Sequence, residues 1–175
     1  PRSLAFGRYQ HVSNDPSSLS LTQNISDIVE DKNGLLWVGF TDAGLNRIDR
    51  ASGSVTVFQN DPNTPGSLHT NNINDLYIAG SGDLWIGTTR GLSHFDPVTG
   101  TFEVRSFLSN DSDSNEPGSN SIEVLSIAED RDGLLWLATS TAIHHYDPAT
   151  GSATHYLANP DQPEGLHGDL LRISF

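Results

Sequence analysis

The sequence is poor in cationic residues and lacks cysteine and methionine altogether. Its 175 residues include 9 Lys and Arg against 22 Asp and Glu, which gives a formal net charge of −13. Such an acidic chain argues against nucleic acid and against an anionic membrane surface as partners, because clustered cations bind both. Without cysteine the chain has no disulfide, no thiolate metal site and no cysteine nucleophile.

Long apolar segments are also missing. The longest apolar run, Leu35–Phe40, is far shorter than the roughly 20 residues that cross a bilayer as a helix. The chain opens with Pro1 and shows no signal peptide, so we expect it to be a piece of a longer protein. With 18% charged residues, 16 glycines and 9 prolines, the composition favours strands and turns over long helices.

One pattern is present three times. The three tryptophans, Trp37, Trp85 and Trp136, recur at intervals of about 50 residues, a period typical of repeat architectures. Each follows a Gly-x-Leu sequence and precedes a second shared string that ends in Asp and a turn ending in Gly. The second strings are residues 44–49, 91–96 and 142–147, and the turns are residues 49–53, 96–100 and 147–151.

Each repeat predicts four antiparallel strands. The first strands are expected at 25–30, 73–78 and 124–128, and Asn-Gly or Asp-Gly turns are suited to the hairpins that follow. The tryptophan strand is apolar on both faces and must be covered on both, as in a β-propeller blade, so we expect the tryptophans in the core between blades. The sequence therefore predicts an all-β fold, a partial β-propeller of three four-stranded blades within one fragment, 1–175. The blades are placed at about 23–60, 71–107 and 121–157, with the end of a preceding blade at 6–11 and the start of a further blade at 168–175.

At these residues the sequence resembles the two-component regulator propeller repeats. The resemblance rests on the Trp strings, on Gly91-Leu92, on the Asp-Pro-x-Thr-Gly turn at 96–100 and on the linkers at 14–19 and 60–68. The third repeat departs from the pattern, since Ala138 and Ala142 replace glycines, and we expect its turn between the second and third strands to differ.

The resemblance implies the sensor region of a bacterial membrane-bound receptor, a hybrid histidine kinase or a diguanylate cyclase. Many such regions sense oligosaccharides. The expected location is the periplasm, and the expected partners are a small-molecule or oligosaccharide ligand and a second copy bound through open blade edges. No cofactor, metal or catalytic residue is expected on the chain itself.

Two other functions stay open, a propeller-type lyase and a protein-interaction scaffold. No Gly-x-Ser-x-Gly string occurs, and Asp49, Asp96 and Asp147 fit a repeated turn better than catalysis. The acidic loop at 110–116 has the alternating oxygen groups of a calcium loop but lacks its glycine and its final glutamate, which favours a solvated linker. His144 and His145 are adjacent on a strand and therefore point to opposite faces.

Residues that break the repeat are the best candidates for ligand binding. The loops between second and third strands lie on the same propeller face as the linkers between blades, and Arg90 is a charge where the other repeats have Ala43 and Thr141. Its guanidinium is suited to bidentate contact with a carboxylate such as that of a uronic acid. The predicted ligand-binding residues are Asp42, Asn72, Arg90, Ser140 and Thr141.

Overall fold

A computed structural model describes residues 9–15, 18–20, 24–107 and 122–157. These residues form three separate four-stranded antiparallel sheets, and each sheet is a meander in which consecutive strands pair. We call them the first, second and third blades. The first contains β1 (Ile25–Glu30), β2 (Leu35–Phe40), β3 (Leu45–Asp49) and β4 (Val55–Phe58); the second contains β5 (Ile73–Ile78), β6 (Leu84–Thr88), β7 (Gly91–Asp96) and β8 (Thr101–Arg105); the third contains β9 (Val124–Glu129), β10 (Leu135–Thr139), β11 (Ala142–Tyr146) and β12 (Ala153–Leu157).

The hairpins follow the turn chemistry of the sequence. Gly34, Gly82 and Gly133 close the first hairpin of each blade with φ of 78°, 95° and 82°, a region that glycine enters without a steric penalty. The Asp turns are equally regular. In each, the Asp side chain accepts a backbone N–H from two residues ahead at 2.8 Å and a hydroxyl from three residues ahead. The partial propeller predicted from the sequence is confirmed.

The blades pack face to face, and we call the contact between the first and second blades the first joint and that between the second and third the second joint. Trp37 lies in the first joint and Trp85 in the second, each 3% exposed. Trp136 is half-buried on the outer face of the third blade. The first two tryptophans are therefore core residues between blades, as predicted.

The inner strands β1, β5 and β9 carry a repeated link. A carboxylate oxygen of Asp27 accepts the backbone N–H of Leu76 at 3.0 Å, and one of Asp75 accepts that of Ile127 at 2.6 Å. A hydrogen bond to a charged acceptor is about twice as strong as a neutral one. Strand register places Ser126 at the equivalent position of the third blade, so the carboxylate is not repeated there.

Close packing explains a second feature of the repeat. Gly39 and Gly87 pack against the first strand of the following blade, and a Cβ on Gly39 would lie 2.8 Å from Cγ2 of Ile73. Strand register puts Ala138 at the same place in the third blade. The glycine is therefore a spacer between blades rather than a turn residue. Its replacement by Ala138 affects the contact between the third blade and the element that packs next to it.

The turn of the third blade forms although Ala142 replaces a positive-φ glycine. Thr139 is buried, and its hydroxyl donates to the carbonyl of Ala142 at 2.9 Å and accepts the N–H of Ala142 at 3.1 Å. Thr88 closes the equivalent turn of the second blade in the same manner, donating to the Gly91 carbonyl at 2.8 Å. A buried hydroxyl thus fixes the turn of both blades.

Among the described residues, the outer faces of the first and third blades are each partly exposed. Ile25 and Ile28 on β1 are 52% and 53% exposed, although their equivalents Ile73 and Leu76 are buried in the first joint. Of the predicted preceding strand at 6–11, residues 9–11 have no regular structure, and Tyr9 packs on the first blade. Residues 6–8, the predicted strand at 168–175 and the acidic loop at 110–116 lie outside the described residues. No helix in the described ranges is long and apolar enough to cross a membrane.

Candidate functional site

The turns between second and third strands share one side of the molecule with the starts of the first strands, because each blade is an antiparallel meander. We call this side the loop face, and the side with the other hairpin turns the opposite face. All five predicted binding residues are exposed on turns or linkers of the loop face. They are Asp42, Asn72, Arg90, Ser140 and Thr141.

Backbone hydrogen bonds bring three of the five together. The Asn71 carbonyl accepts the N–H of Gly44, at the end of the turn that carries Asp42, at 2.9 Å. The Asn72 carbonyl accepts the N–H of Thr89, which precedes Arg90, at 3.3 Å. The two turns therefore flank the linker on either side, and Asp42, Asn72 and Arg90 form one continuous strip across the first joint.

The other two predicted residues stand apart. Ser140 and Thr141 form the exposed tip of the third blade's turn, which the Thr139 hydroxyl holds. No contact among the described residues joins this tip to the strip, and the linker that precedes the third blade, at 108–121, lies outside them. Their part in a common site stays a prediction.

His69 contacts the turn of the candidate site and was not predicted from the sequence. Its Nε2 lies 3.1 Å from the carbonyl oxygen of Arg90 and 3.1 Å from the hydroxyl of Thr88, and its Nδ1 lies 2.8 Å from the hydroxyl of Ser93. Burial, and secondarily the charge of Arg90, lowers the pKa of His69. The sequence signal was available, since His69 immediately precedes the polar run at 70–72, but nothing in the repeat pattern distinguished it from the six other histidines.

A cleft of about 580 Å³ opens on the loop face beside Asp42. Asp42, Ala43 and Gln59 line it from one side, and the segment that enters the first blade lines it from the other. Small-molecule sites have volumes of about 300–1,000 Å³, so the cleft is large enough for a sugar residue or two. Its polar lining comes from His11, Asp15, Ser18, Ser20, Asp42 and Gln59.

A second cleft, of about 810 Å³, opens on the opposite face at the second joint. Its floor includes Trp85 and Leu135, and its rim carries Asp83, Asp132 and Arg105. Hydrogen bonds from Ser81 and His94 lower the pKa of Asp83, so this carboxylate stays ionised at neutral pH.

The histidines of the third blade divide between its two faces, as predicted. His145 stacks on Trp136 with ring centroids 4.0 Å apart, and its Nε2 lies 2.7 Å from Asp130. His144 is buried, and its Nδ1 lies 2.6 Å from Nδ1 of His155. Burial, then repulsion from His155, lowers the pKa of His144 to about 4. Within the described ranges no three His, Asp or Glu side chains are grouped closely enough to hold a metal ion.

Comparison with solved structures supports the fold. The extracellular domain of the BT3049 hybrid two component system of B. thetaiotaomicron superposes with a TM-score of 0.67 at 22% identity, over 85% of this chain and 20% of that one. The extracellular domain of the BT4673 one component system of the same organism gives 0.65 at 23% identity, over 92% and 19%. An auxiliary nutrient binding protein of Bacteroides ovatus gives 0.54 at 18% identity, over 75% and 30%. The chain thus spans about a fifth of the length of the two extracellular domains.

Sequence comparison identifies the repeat itself. No curated protein matches the chain. The sequence profile of the family described as "Two component regulator propeller" matches three times, at residues 19–42, 67–90 and 118–141. Each match covers the linker, the first two strands and the following turn of one blade. The chain therefore belongs to the two component regulator propeller family and contains three of its repeats.

Proposed function

We propose that this chain is a ligand-sensing segment of an extracytoplasmic β-propeller in a bacterial membrane-anchored receptor, located in the periplasm. The family and the two extracellular domains of similar fold support this role. In this proposal the chain binds and does not catalyse, and a kinase or cyclase output lies elsewhere in the parent protein.

The observation that carries the proposal is the strip of Asp42, Asn72 and Arg90 across the first joint. Arg90 is exposed and breaks the repeat, and its guanidinium is suited to bind a sugar carboxylate with two hydrogen bonds. Asn72 and Asp42 offer the amide and carboxylate groups that bind sugar hydroxyls, and the cleft beside Asp42 provides depth. We propose an acidic oligosaccharide as the ligand. The neighbour described as a nutrient binding protein agrees with such a class.

A ligand on this strip contacts turns of two blades. Because Asp42 belongs to the first blade and Arg90 to the second, a ligand that bridges them favours the arrangement in which both turns are at the right distance. Binding then shifts the receptor toward the state that holds this arrangement, provided that the affinity differs between the two states.

The test compares trigalacturonate with its methyl ester by titration calorimetry. The two probes differ in charge at each carboxyl group and share their hydroxyls. We expect the acid to bind and the ester to bind about tenfold more weakly, and Arg90→Gln to abolish this difference. Arg131→Gln is the matched control, since Arg131 is exposed on a turn of the opposite face. Equal losses in both variants, or no binding of the acid by the wild type, would contradict the proposal.

We also propose that the open faces bind a second copy of the chain, head to tail. Exposed Ile25 and Ile28 on the first blade are the equivalents of residues that cover Trp37 in the first joint. On the outer face of the third blade, Trp136 is half-buried and Tyr156 is 44% exposed. Light scattering over a concentration series tests this. A mass that stays at one chain at all concentrations rules it out.

A further inference from the structure

Three hydrogen bonds converge on the imidazole of His69, which lies beneath the turn that carries Arg90. The carbonyl oxygen of Arg90 can only accept, so Nε2 of His69 carries the proton that it shares with Arg90 and Thr88. In a neutral ring Nδ1 is then the acceptor, and the buried hydroxyl of Ser93 donates to it at 2.8 Å. Both ring nitrogens are used, and a single tautomer satisfies all partners.

The first blade shows what anchoring a linker requires by itself. There Asn46 is equivalent to Ser93, and it anchors the preceding linker through two hydrogen bonds with Ser20, at 2.9 and 2.8 Å. A small polar pair is therefore sufficient to attach a linker to the third strand. The bond from His69 to the Arg90 carbonyl goes beyond this, because it runs from the linker to the turn.

We propose that His69 is the positioning residue of the loop-face site: its Nε2–H holds the carbonyl of Arg90 and so fixes the direction in which the Arg90 side chain leaves the turn. The inference rests on the proposed role of Arg90 in ligand binding. Arg90 is exposed at the tip of a turn, and its backbone N–H is also fixed, by the Thr88 hydroxyl at 3.1 Å. Because both its N–H and its carbonyl are held, the Arg90 backbone is already ordered before a ligand binds. This lowers the entropic cost of binding.

Two substitutions separate positioning from anchoring. In His69→Gln, the side-chain amide reaches the place of Nε2 and can donate to the Arg90 carbonyl, but the Ser93 contact is lost. In His69→Asn, the shorter amide reaches the place of Nδ1 and keeps the Ser93 contact, but the Arg90 contact is lost. His69→Gln removes the contact of Nδ1 and His69→Asn removes the two contacts of Nε2, so each variant is the control for the ring nitrogen that the other replaces.

The experiment measures the affinity for trigalacturonate and, without ligand, the NMR order parameter of the Arg90 backbone N–H. We expect His69→Asn to weaken binding about tenfold and to lower the order parameter, and His69→Gln to stay within about twofold of the wild type in both. If both variants change together and follow the melting temperature, His69 only anchors the linker and the inference is wrong. If the order parameters separate but the wild type does not bind the probe, positioning holds and the proposed ligand class fails.

Discussion

The two joints of the molecule are built on the same frame but filled differently. In the first joint four aromatic rings, those of Trp37, Phe58, Phe95 and Phe102, pack with centroids 4.9 to 5.8 Å apart. In the second joint Trp85 and Tyr146 lie 6.1 Å apart, Phe107 packs on His144 at 4.9 Å, and the cleft of about 810 Å³ opens beside Trp85.

Strand register identifies the cause of the difference. Arg105 stands opposite Leu92 as Phe58 stands opposite Leu45, and Ala153 stands opposite Tyr146 as Phe102 stands opposite Phe95. Two rings of the first joint are thus replaced in the second by a cation and a methyl group. Arg105 forms an ion pair with Glu103 on its own strand, at 2.8 Å, and lines the cleft.

Some residues hold neighbouring blades together in both joints, and others determine whether a joint contains a cleft. The Asp links of the inner strands, the glycine spacers and the buried tryptophans are common to both joints. The residues on the outer strands differ, and they determine whether a joint is closed or contains a cleft. A repeat protein can therefore vary its outer strands without losing the contacts that hold neighbouring blades together.

The largest effect is expected from removing a tryptophan of the first joint. Trp37→Ala should lower the free energy of unfolding by about 4 kcal/mol, the typical cost of truncating a buried tryptophan. Trp136→Ala should cost about 2 kcal/mol, because Trp136 is only half-buried. Urea unfolding of both variants measures the difference. Equal losses would mean that the joint does not determine the burial energy of these residues.

Acid should destabilise the fold through the buried His144 of the third blade. The pKa of buried His144 is lowered to about 4, so between about pH 6.5 and pH 4 the unfolded chain binds a proton that the folded chain does not. This contribution to stability is fully present above pH 6.5 and is lost as the pH falls toward 4, by about 3 kcal/mol in total.

His144→Asn provides the control for this pH effect, since Asn46 is the equivalent residue of the first blade. Urea unfolding at pH 7 and at pH 4.5 should show a smaller acid loss in the variant than in the wild type. An equal loss of unfolding free energy between pH 7 and pH 4.5 in both proteins would show that His144 does not contribute to the acid effect.

Adding a methyl group to a spacer glycine should lower the free energy of unfolding by different amounts in the two joints, and this difference is smaller than the effects above. Gly39→Ala places a Cβ 2.8 Å from the stiff, β-branched Ile73 and should cost about 2 kcal/mol. In Gly87→Ala the nearest atoms, both of Val124, are 3.1 Å away, so the cost should be about 1 kcal/mol. Thermal unfolding of the two variants measures both losses. A larger loss in Gly87→Ala than in Gly39→Ala would contradict the spacer role.

The smallest expected effect is a gain. Arg105→Phe restores to the second joint the ring that Phe58 provides in the first, and it should raise the free energy of unfolding by about 1 kcal/mol through added apolar burial. Adding Ala153→Phe should complete the cluster. Thermal unfolding of the single and double variants tests this, and a loss of stability in both would show that the cleft is maintained by backbone geometry rather than by side-chain size.

Much of the fold was readable from the sequence because the repeat supplies three versions of each signal. The Trp strings, the hairpin glycines and the Asp turns act over a few residues, and the structure confirms them. The role of Gly39 was not readable, because a spacer is defined by a residue about 34 positions away, Ile73, whose contact depends on how two sheets stack. The sequence pattern assigned such glycines to a turn for that reason.

The site was readable only in part. Turn chemistry and the meander topology placed Asp42, Asn72 and Arg90 on one face, but the contacts that join them run through backbone carbonyls of the linker, which any residue type supplies. His69 was missed because its partners, two hydroxyls and a carbonyl, are about 20 residues away and form no motif. Contacts of this kind appear only when the blades are assembled.

The spacer position also gives the blades an order. Gly39 and Gly87 accept a β-branched residue of the next inner strand, whereas Ala138 carries the methyl group that such a residue would meet. A rearranged gene that placed the third blade directly before the second would bring Ala138 against Ile73, and its product would fold less stably than the natural order. Duplication and shuffling of these repeats are therefore not neutral. The chain can lengthen by copying a blade with a glycine spacer. A copy of the third blade must instead be followed by an inner strand with a smaller residue opposite Ala138.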